Sequence, residues 1–536
     1  MNKVSEKIRR RANDAFNRRD YKEAELLFKR ILSLRPRDYA ALLGLSALYN
    51  EVGRVDELYA LASDLYKDHP NDVAVLNRMG VALFRTGKKA DGYELLKKAA
   101  ELEPGRYETY LNLSSVAGEV NDIRGGMLYA LEAVRVAPGS PSAHNNLGSA
   151  LMAAGKPDEA KYCFETALEL DPNNVFALTN LAVLATKGGD HARAAIEYEK
   201  CLELHLDPIE KNKLRFFLGL SYLTLGNLEY GWKNYDHGFI PEATHARNPV
   251  RRFTVPQWAG DNIEGKTLLV WREQGLGDEM LFFSCLKDLQ GTGIKVIVEC
   301  DYRLVSILRR SFPDYLVRPQ SYFDAPDMGS PFSDFDFHIP AGSLMGVFRR
   351  KIEDFSKSGP YLVPEKSLVE LYDTRLGPRD GKLRVGICWR SGDLSAIRNK
   401  SYTALSEWEP ILILKNIQLV NLQYGDCEKE LAAVSEHLGV YINRWPDLNL
   451  KDDLDETAAL IKTLDLVISV GTATAQLAAA VGAETYLLTY KPTWTTFGCD
   501  YNPVYPNVKN LAVPVDDHIR SLIPLVAEAL ATDEVV

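Results

Sequence analysis

The sequence has no run of eighteen or more apolar residues, the minimum for a simple membrane-spanning helix. Its most apolar stretch, Leu466 to Leu488, is interrupted by Ser, Thr, Gln and Glu. The basic opening residues lack the apolar core of a secretory signal. Cysteine is sparse: seven residues, an odd number, with no C-x-x-C pair. That pattern argues against a disulfide framework and for reduced thiols, so a cytoplasmic protein is expected. The nine histidines are dispersed and no His/Cys spacing suits zinc. No D-x-D stands in a supporting context, so no metal site is expected. A basic surplus is missing too. With 63 Lys and Arg against 73 Asp and Glu, the net charge is −10, which gives no general affinity for nucleic acid. The local exception, "KIRRR" and "NRR" before Asp20, reads as a solvated face.

What is present is periodic. Prolines stand at 36, 70, 104, 138 and 172, always 34 apart. At ordinary proline frequency four such hits in a row arise by chance about once in 100,000. Turn residues keep the same period: Gly53, Gly87, Asn121, Gly155 and Gly189. Between each turn and the next proline lies a helix-period apolar pattern, as in "PDEAKYCFETALELDP" (157–172). Small residues such as Ala160, Ala167 and Ala194 sit where helices must approach; Phe28, Phe164 and Tyr198 fill the gaps. This 34-residue helix–turn–helix unit resembles the tetratricopeptide repeat. Six repeats are expected over residues 5–208, and a degenerate seventh over about 212–240. Asn112, Asn146 and Asn180 are also 34 apart. A carboxamide both donates and accepts, so such a row can clamp a peptide backbone; it resembles the asparagine ladder of the O-GlcNAc transferase superhelix. The alternative is three polar residues facing solvent.

After the Pro- and Gly-bearing "NPVRRFTVPQWAGDN" (248–262) the pattern changes. Short apolar runs, "TLLVW", "KVIVEC", "DFHIP", "RVGICW", "IQLVNLQ", "DLVISV" and "TYLLTY", alternate with helical segments. That alternation predicts parallel, doubly wound sheets. A break at "RLGPRDGK" (375–382) divides them into two lobes, with ligands expected at the carboxyl ends of the strands. "WREQGLGDEMLFF" (271–283) joins the first strand to a helix. Read locally, its glycines make a turn and Asp278 caps the helix.

The ordered set "PQWAGDNIEGKTLLVWREQGLGDEMLFF", "RVGICWRSGDLSAIRNKSY", "LVNLQYG", "DETAALIKTLDLVISVGTATAQLAAAVG" and "YKPTWTTFG" with "NPVYP" resembles GT-B glycosyltransferases of the heptosyltransferase-like and O-GlcNAc-transferase-like branch. It looks most like a bacterial group in which such a module follows tetratricopeptide repeats, a layout that includes flagellin glycosyltransferases. The resemblance implies an all-α tetratricopeptide-repeat superhelix followed by an α/β GT-B module of two Rossmann-like lobes. The expected boundaries are 1–240 for the repeats, 241–262 for a linker, 263–378 for the acceptor-side lobe and 379–536 for the donor lobe. It implies a metal-independent enzyme that takes a sugar from a nucleotide-sugar to Ser or Thr hydroxyls of a protein held by the repeats. No cofactor is expected beyond the nucleotide-sugar co-substrate.

By the same resemblance Asp278 is the general base, and Gly275 and Gly277 let the acceptor approach. Arg390, Ser391, Arg398, Lys400, Gly471, Thr472, Ala473 and Gln476 are expected to bind the donor phosphate and sugar, and Gln423 the base. Asn112, Asn146 and Asn180 hold the acceptor. The chain departs from the pattern where related chains carry Asp-Thr-Ala…His: Gly471 and Gln476 stand in place of the Asp and the His. Either the donor differs, for example a CMP-linked acidic sugar such as a nonulosonic acid passed to flagellin, or activity is lost. Two further readings stay open: a non-catalytic adaptor or chaperone with a degenerate module, and a heptosyltransferase-like enzyme acting on glycan.

Overall fold

A computed structural model describes residues 2–18, 20–204, 206–240, 247–320, 333–391 and 401–532. The chain forms two compact units, Met1–Leu184 and Ala185–Val536.

The repeat half is all helical, from α1 (Asn2–Asn17) to α14 (Leu228–Tyr235), and from α1 up to α10 (Pro157–Leu170) successive helices pack on one another. The 34-residue period has a local cause at three points. The turn residues Gly53, Gly87, Asn121, Gly155 and Gly189 all take positive φ, between 63° and 87°, the left-handed conformation that ends a helix cheaply only at Gly or Asn. Two residues past the periodic prolines, where the first helix of a repeat starts, the side chains of Asp38, Asp72, Ser140 and Asn174 accept backbone N–H bonds from residues three positions on, at 3.0–3.3 Å. Arg106 occupies the same register without a side-chain cap. Within a repeat, helices close onto one another through glycine: a Cβ on Gly148 would stand 2.5 Å from the Phe164 ring.

The second unit holds α12 (His191–Leu202), α13 (Pro208–Thr224), α14 and both lobes. The last repeat is built into the α/β part. Trp232 Nε1 on α14 donates to the Arg349 carbonyl at 2.9 Å. A Cβ on Gly498 would lie 2.8 Å from the Gly226 nitrogen, so the α13–α14 turn meets that loop backbone to backbone.

The first lobe runs β1 (Thr267–Trp271), α15 (Leu276–Phe283), β2 (Lys295–Cys300), α16 (Val305–Ser311), β3 (Leu316–Pro319), β4 (Phe337–Pro340), α17 (Ala341–Phe348) and α18 (Lys366–Leu376). The second runs β5 (Leu383–Cys388), α19 (Glu409–Leu412), β6 (Ile417–Asn421), α20 (Glu428–Leu438), α21 (Leu454–Lys462), β7 (Leu466–Val470), α22 (Ala473–Val481), β8 (Thr485–Lys491), β9 (Val508–Pro514) and α23 (Leu522–Ala531). Both sheets are parallel, in the orders β3–β2–β1–β4 and β6–β5–β7–β8–β9. Leu268 registers with Val296 and Phe337, and Ile387 with Ile468. Helices cover both faces, so the central strands are mostly apolar; Val467, Ile468 and Val470 are fully buried.

All seven predicted strands are present, and β3 and β9 were not anticipated. Both are outer strands. β3 carries a proline and Arg318, which pairs with Glu299 and Asp334 at 2.9 and 2.8 Å. β9 carries Lys509 and Asn510 and has only a short apolar stretch, Leu511–Val513. Neither has the apolar run that marks a central strand.

Candidate active-site cleft

In each sheet the chain reverses its winding beside the first strand of the lobe, at β1/β4 and at β5/β7. Such switch points open crevices at the carboxyl ends of strands. The loops leaving β1, β5 and β7 line one cleft of about 550 Å³. From the first lobe come Gly275, Leu276, Gly277, Asp278 and Arg303; from the second come Ser391, Tyr424, Lys451 and the segment Gly471–Gln476. Two helices, α15 and α22, therefore begin at the same cavity. A helix start leaves backbone N–H groups unpaired and carries partial positive charge, so each end favours an anion.

The α15 helix starts at Leu276, with Gly275 as its cap. Asp278 thus stands at the third helical position, not at the cap as expected. Its Oδ2 reaches back to accept the Gly275 N–H at 3.2 Å. Neither Gly275 nor Gly277 has positive φ, so the backbone does not demand glycine there. The left-handed residue is Gln274, at φ 59°, whose N–H donates to the Asn248 carbonyl at 2.7 Å.

Two buried ion clusters hold this loop, and the sequence reading missed both. Glu273 is fully buried and accepts from Arg247 Nε at 2.6 Å and from the Gly342 N–H at 2.6 Å. The Arg247 guanidinium lies 4.4 Å from the Tyr235 ring centroid and bonds Asp236 at 2.8 Å, which ties the loop to the end of α14. Arg272 lies 3.0 Å from Glu279 and 2.9 Å from Asp301. Burial pushes the Glu279 carboxyl up to about 8, with Arg272 opposing. Burial also raises Asp301, but the bonds from Arg303 outweigh it and hold that carboxyl below its usual range. Arg303 continues the chain of charges into the cleft. It grips Asp301 through Nε and Nη2, at 2.8 and 3.0 Å, and donates Nη1 to the Lys451 carbonyl of the other lobe at 3.1 Å.

The donor-side expectations divide. Gly471, Thr472, Ala473 and Gln476 line the cleft together. Thr472 caps α22, its Oγ1 accepting from Ala475 N–H at 3.3 Å. That cap takes the Ala475 N–H and leaves those of Thr472, Ala473 and Thr474 without an intrahelical partner. A Cβ on Gly471 would meet nothing within 4 Å, so the missing side chain there is not a steric need. Gln476 packs its Cγ 3.5 Å from where a Gly277 Cβ would be, and its buried Oε1 has no hydrogen-bond partner among the described residues. Ser391 lines the wall beside Tyr424, hydroxyl to hydroxyl at 3.1 Å.

Two residues are corrected. Gln423 is 1% exposed, and its Oε1 accepts the N–H groups of Trp389 and Arg390 at 3.1 and 2.9 Å while Nε2 donates to the Tyr424 carbonyl. It shapes the loop after β5, buried behind the cleft wall and not part of its lining. Arg390 turns away from the cleft to Glu430 and the Asp426 carbonyl, at 2.6 and 2.7 Å. Arg398 and Lys400 lie outside the described residues. Among the described residues, the cations in the cleft wall are Arg303 and Lys451. Arg303 was detectable as a cation just past the end of "KVIVEC"; nothing in the sequence singles out Lys451. Among the described residues no group of three or more His, Cys, Asp or Glu is placed to hold a metal ion.

The repeat asparagines are half-buried and stitch neighbouring repeats. Asn112 Nδ2 donates to Asn77 Oδ1 at 3.1 Å. Asn146 Nδ2 donates to the Leu111 carbonyl and Ser115, and Asn180 Nδ2 to Asn145 and Ser149. The amide donors of Asn146 and Asn180 are spent, so their carbonyl oxygens are what a ligand would meet.

Tetratricopeptide-repeat models match residues 9–57, 141–174 and 163–195. Among known proteins, the chain is 29% identical over 452 residues to Protein FlbA of Caulobacter vibrioides, covering 82% of this chain and 70% of that one. That alignment is longer than the repeat array, so it takes in α/β sequence as well. The BBSome complex member bbs-4 of Caenorhabditis elegans is 24% identical over 32% of this chain and 37% of its own length. Among solved structures, the tetratricopeptide-repeat protein TTC0263 of Thermus thermophilus aligns at 19% identity over 34% of this chain and 99% of its own, with a TM-score of 0.32. No helix among the described residues is long and apolar enough to cross a membrane.

Proposed function

We infer that this repeat protein is a glycosyltransferase that uses a nucleotide-sugar and a protein acceptor. The observation that carries the reading is the meeting of two helix starts, α15 and α22, on one cleft that also holds the Asp278 carboxylate. The α22 start suits the donor phosphate, since its Ala473 and Thr474 N–H groups are unpaired by helix geometry. Arg303 and Lys451 supply cationic charge where the leaving phosphate develops negative charge. Asp278, on the first-lobe side of the cleft, takes the proton of an acceptor hydroxyl as that oxygen attacks the sugar's anomeric carbon. The bond to the phosphate breaks, the new glycosidic bond forms, and the nucleotide leaves with the electron pair.

The repeats are the acceptor-binding half in this reading, with the carbonyls of Asn112, Asn146 and Asn180 receiving peptide N–H groups. The finer assignment is a Ser- or Thr-linked transfer of an acidic sugar, of the nonulosonic class, to flagellin. It is supported by the open position at Gly471, where a carboxylate would repel the sugar's own. The test is a thermal-shift screen with UDP, GDP, CMP and their sugars on the full chain. A nucleotide that binds only the folded protein raises its melting temperature by mass action. No shift with any nucleotide at saturating concentration overturns the reading in favour of a repeat adaptor.

A further inference from the structure

A second chamber lies beside the cleft. It measures about 770 Å³ and is bounded by β8, β9, the loop after β8 and Thr224 at the end of α13. Thr489 and Thr493 line both cavities, so the two share a wall made of hydroxyl side chains.

Sheet geometry defines the floor. Leu487 registers with Asn510, Thr489 with Ala512 and Lys491 with Pro514. Alternation along a strand puts these residues on one face. Asn510 thus stands on the face that floors both cavities. Its carboxamide is buried, and neither Oδ1 nor Nδ2 has a hydrogen-bond partner among the described residues. Buried polar atoms are nearly always paired, and a carboxamide left without partners is costly. Asn510 lines the chamber, and the groups around it set what can satisfy it. Lys491 and Asp500 offer one charge of each sign, so no surplus draws phosphate. Ala512 and Leu522 give the apolar surface. A carboxamide with both a donor and an acceptor, threonine hydroxyls and an apolar patch suit an uncharged polyhydroxylated group.

We propose that this chamber is a carbohydrate subsite in which Asn510 reads sugar hydroxyls. The assignment rests on the glycosyl-transfer reading of the cleft, and it extends the donor site past Thr489 and Thr493 to hold a sugar larger than the cleft alone accepts. The amide lies covered in the wall, so a sugar reaches it only as neighbouring side chains shift; the hydrogen bonds then gained by Asn510 favour that shift.

The experiment uses the full chain and free sugars. Saturation-transfer NMR with glucose, N-acetylglucosamine and N-acetylneuraminic acid should show transfer to at least one of them from the wild type. Asn510→Leu, close in shape and apolar, should remove that signal while melting at or above the wild-type temperature. Thr489→Val is the second variant should Asn510→Leu fail to fold, and it too should lose the signal. No transfer from wild type to any sugar, or equal transfer from a folded variant, overturns the proposal. Nucleotide-induced thermal shifts are recorded on the same samples. Their absence, with sugar binding intact and Asn510-dependent, would sink the nucleotide reading of the cleft and leave the chamber as a sugar site.

Discussion

Asp278→Asn separates the two roles its position allows. In the fold its carboxylate accepts the Gly275 N–H at 3.2 Å. An asparagine Oδ1 can keep that bond, so the change removes charge and proton affinity and little else. Losing a negative charge in the first turn of a helix costs about 0.3–1 kcal/mol, which for a unit of this size lowers the melting temperature by about 1–2 °C. If Asp278 takes the acceptor proton, the same change slows transfer by about 100- to 10,000-fold, or about 2.7–5.5 kcal/mol of barrier. The kinetic effect therefore exceeds the stability effect several times over. The assay is mass spectrometry of the acceptor protein after co-expression with a donor pathway, sampled early so that slow transfer cannot catch up. Nucleotide binding, followed by calorimetry, should be unchanged. Wild-type transfer rates in the variant would reduce Asp278 to a turn-stabilising residue and take the base out of the mechanism.

Arg303→Ala should weaken nucleotide binding by about 1.5–3 kcal/mol, the worth of a charge-assisted hydrogen bond; unaltered affinity in calorimetry would take the guanidinium out of the donor site. Replacing Asn112, Asn146 and Asn180 together by Ala should weaken acceptor retention in a pull-down. The array should also be less stable, by about 0.5–1.5 kcal/mol for each lost inter-repeat bond, and retention at wild-type strength would exclude the asparagine row. Glu279 has a folded pKa of about 8 against an ordinary 4.5, so unfolding releases its proton between those values. Stability should be highest below about 4.5 on this account and fall by about 3–5 kcal/mol by pH 8. Glu279→Gln should flatten that decline in urea titrations across pH, and an unchanged slope would show that the carboxyl is ionised in the fold throughout. Gly148→Ala places a methyl 2.5 Å from the Phe164 ring and should cost about 1–3 kcal/mol by overpacking, read as a lower urea midpoint; a neutral result would mean that the repeat relaxes freely.

The sequence by itself determined the elements whose cause is local. A residue that must adopt positive φ, a cap that must accept an N–H and an apolar stripe of fixed period leave marks every 34 positions, so the repeats and their turns at Gly53 to Gly189 were readable in advance. Continuous apolar runs likewise announced the seven strands buried on both faces, and the loop glycines after "TLLVW" pointed to the cleft. Tertiary structure decided whatever depends on residues far apart in the chain. Arg390 and Gln423 follow strand ends, as donor-binding residues do, yet Glu430 and the Trp389–Arg390 backbone claim them. Arg303 reached the cleft because Asp301 and the Lys451 carbonyl aim it there. The edge strands β3 and β9 needed their neighbours to exist as strands at all, because a half-solvated strand has no apolar run of its own. Asn510 reads in sequence as an ordinary polar residue of an outer strand. Only the fold buries its carboxamide without a partner on the face shared with Thr489, because burial and hydrogen-bond satisfaction are properties of the packed surroundings and not of the residue.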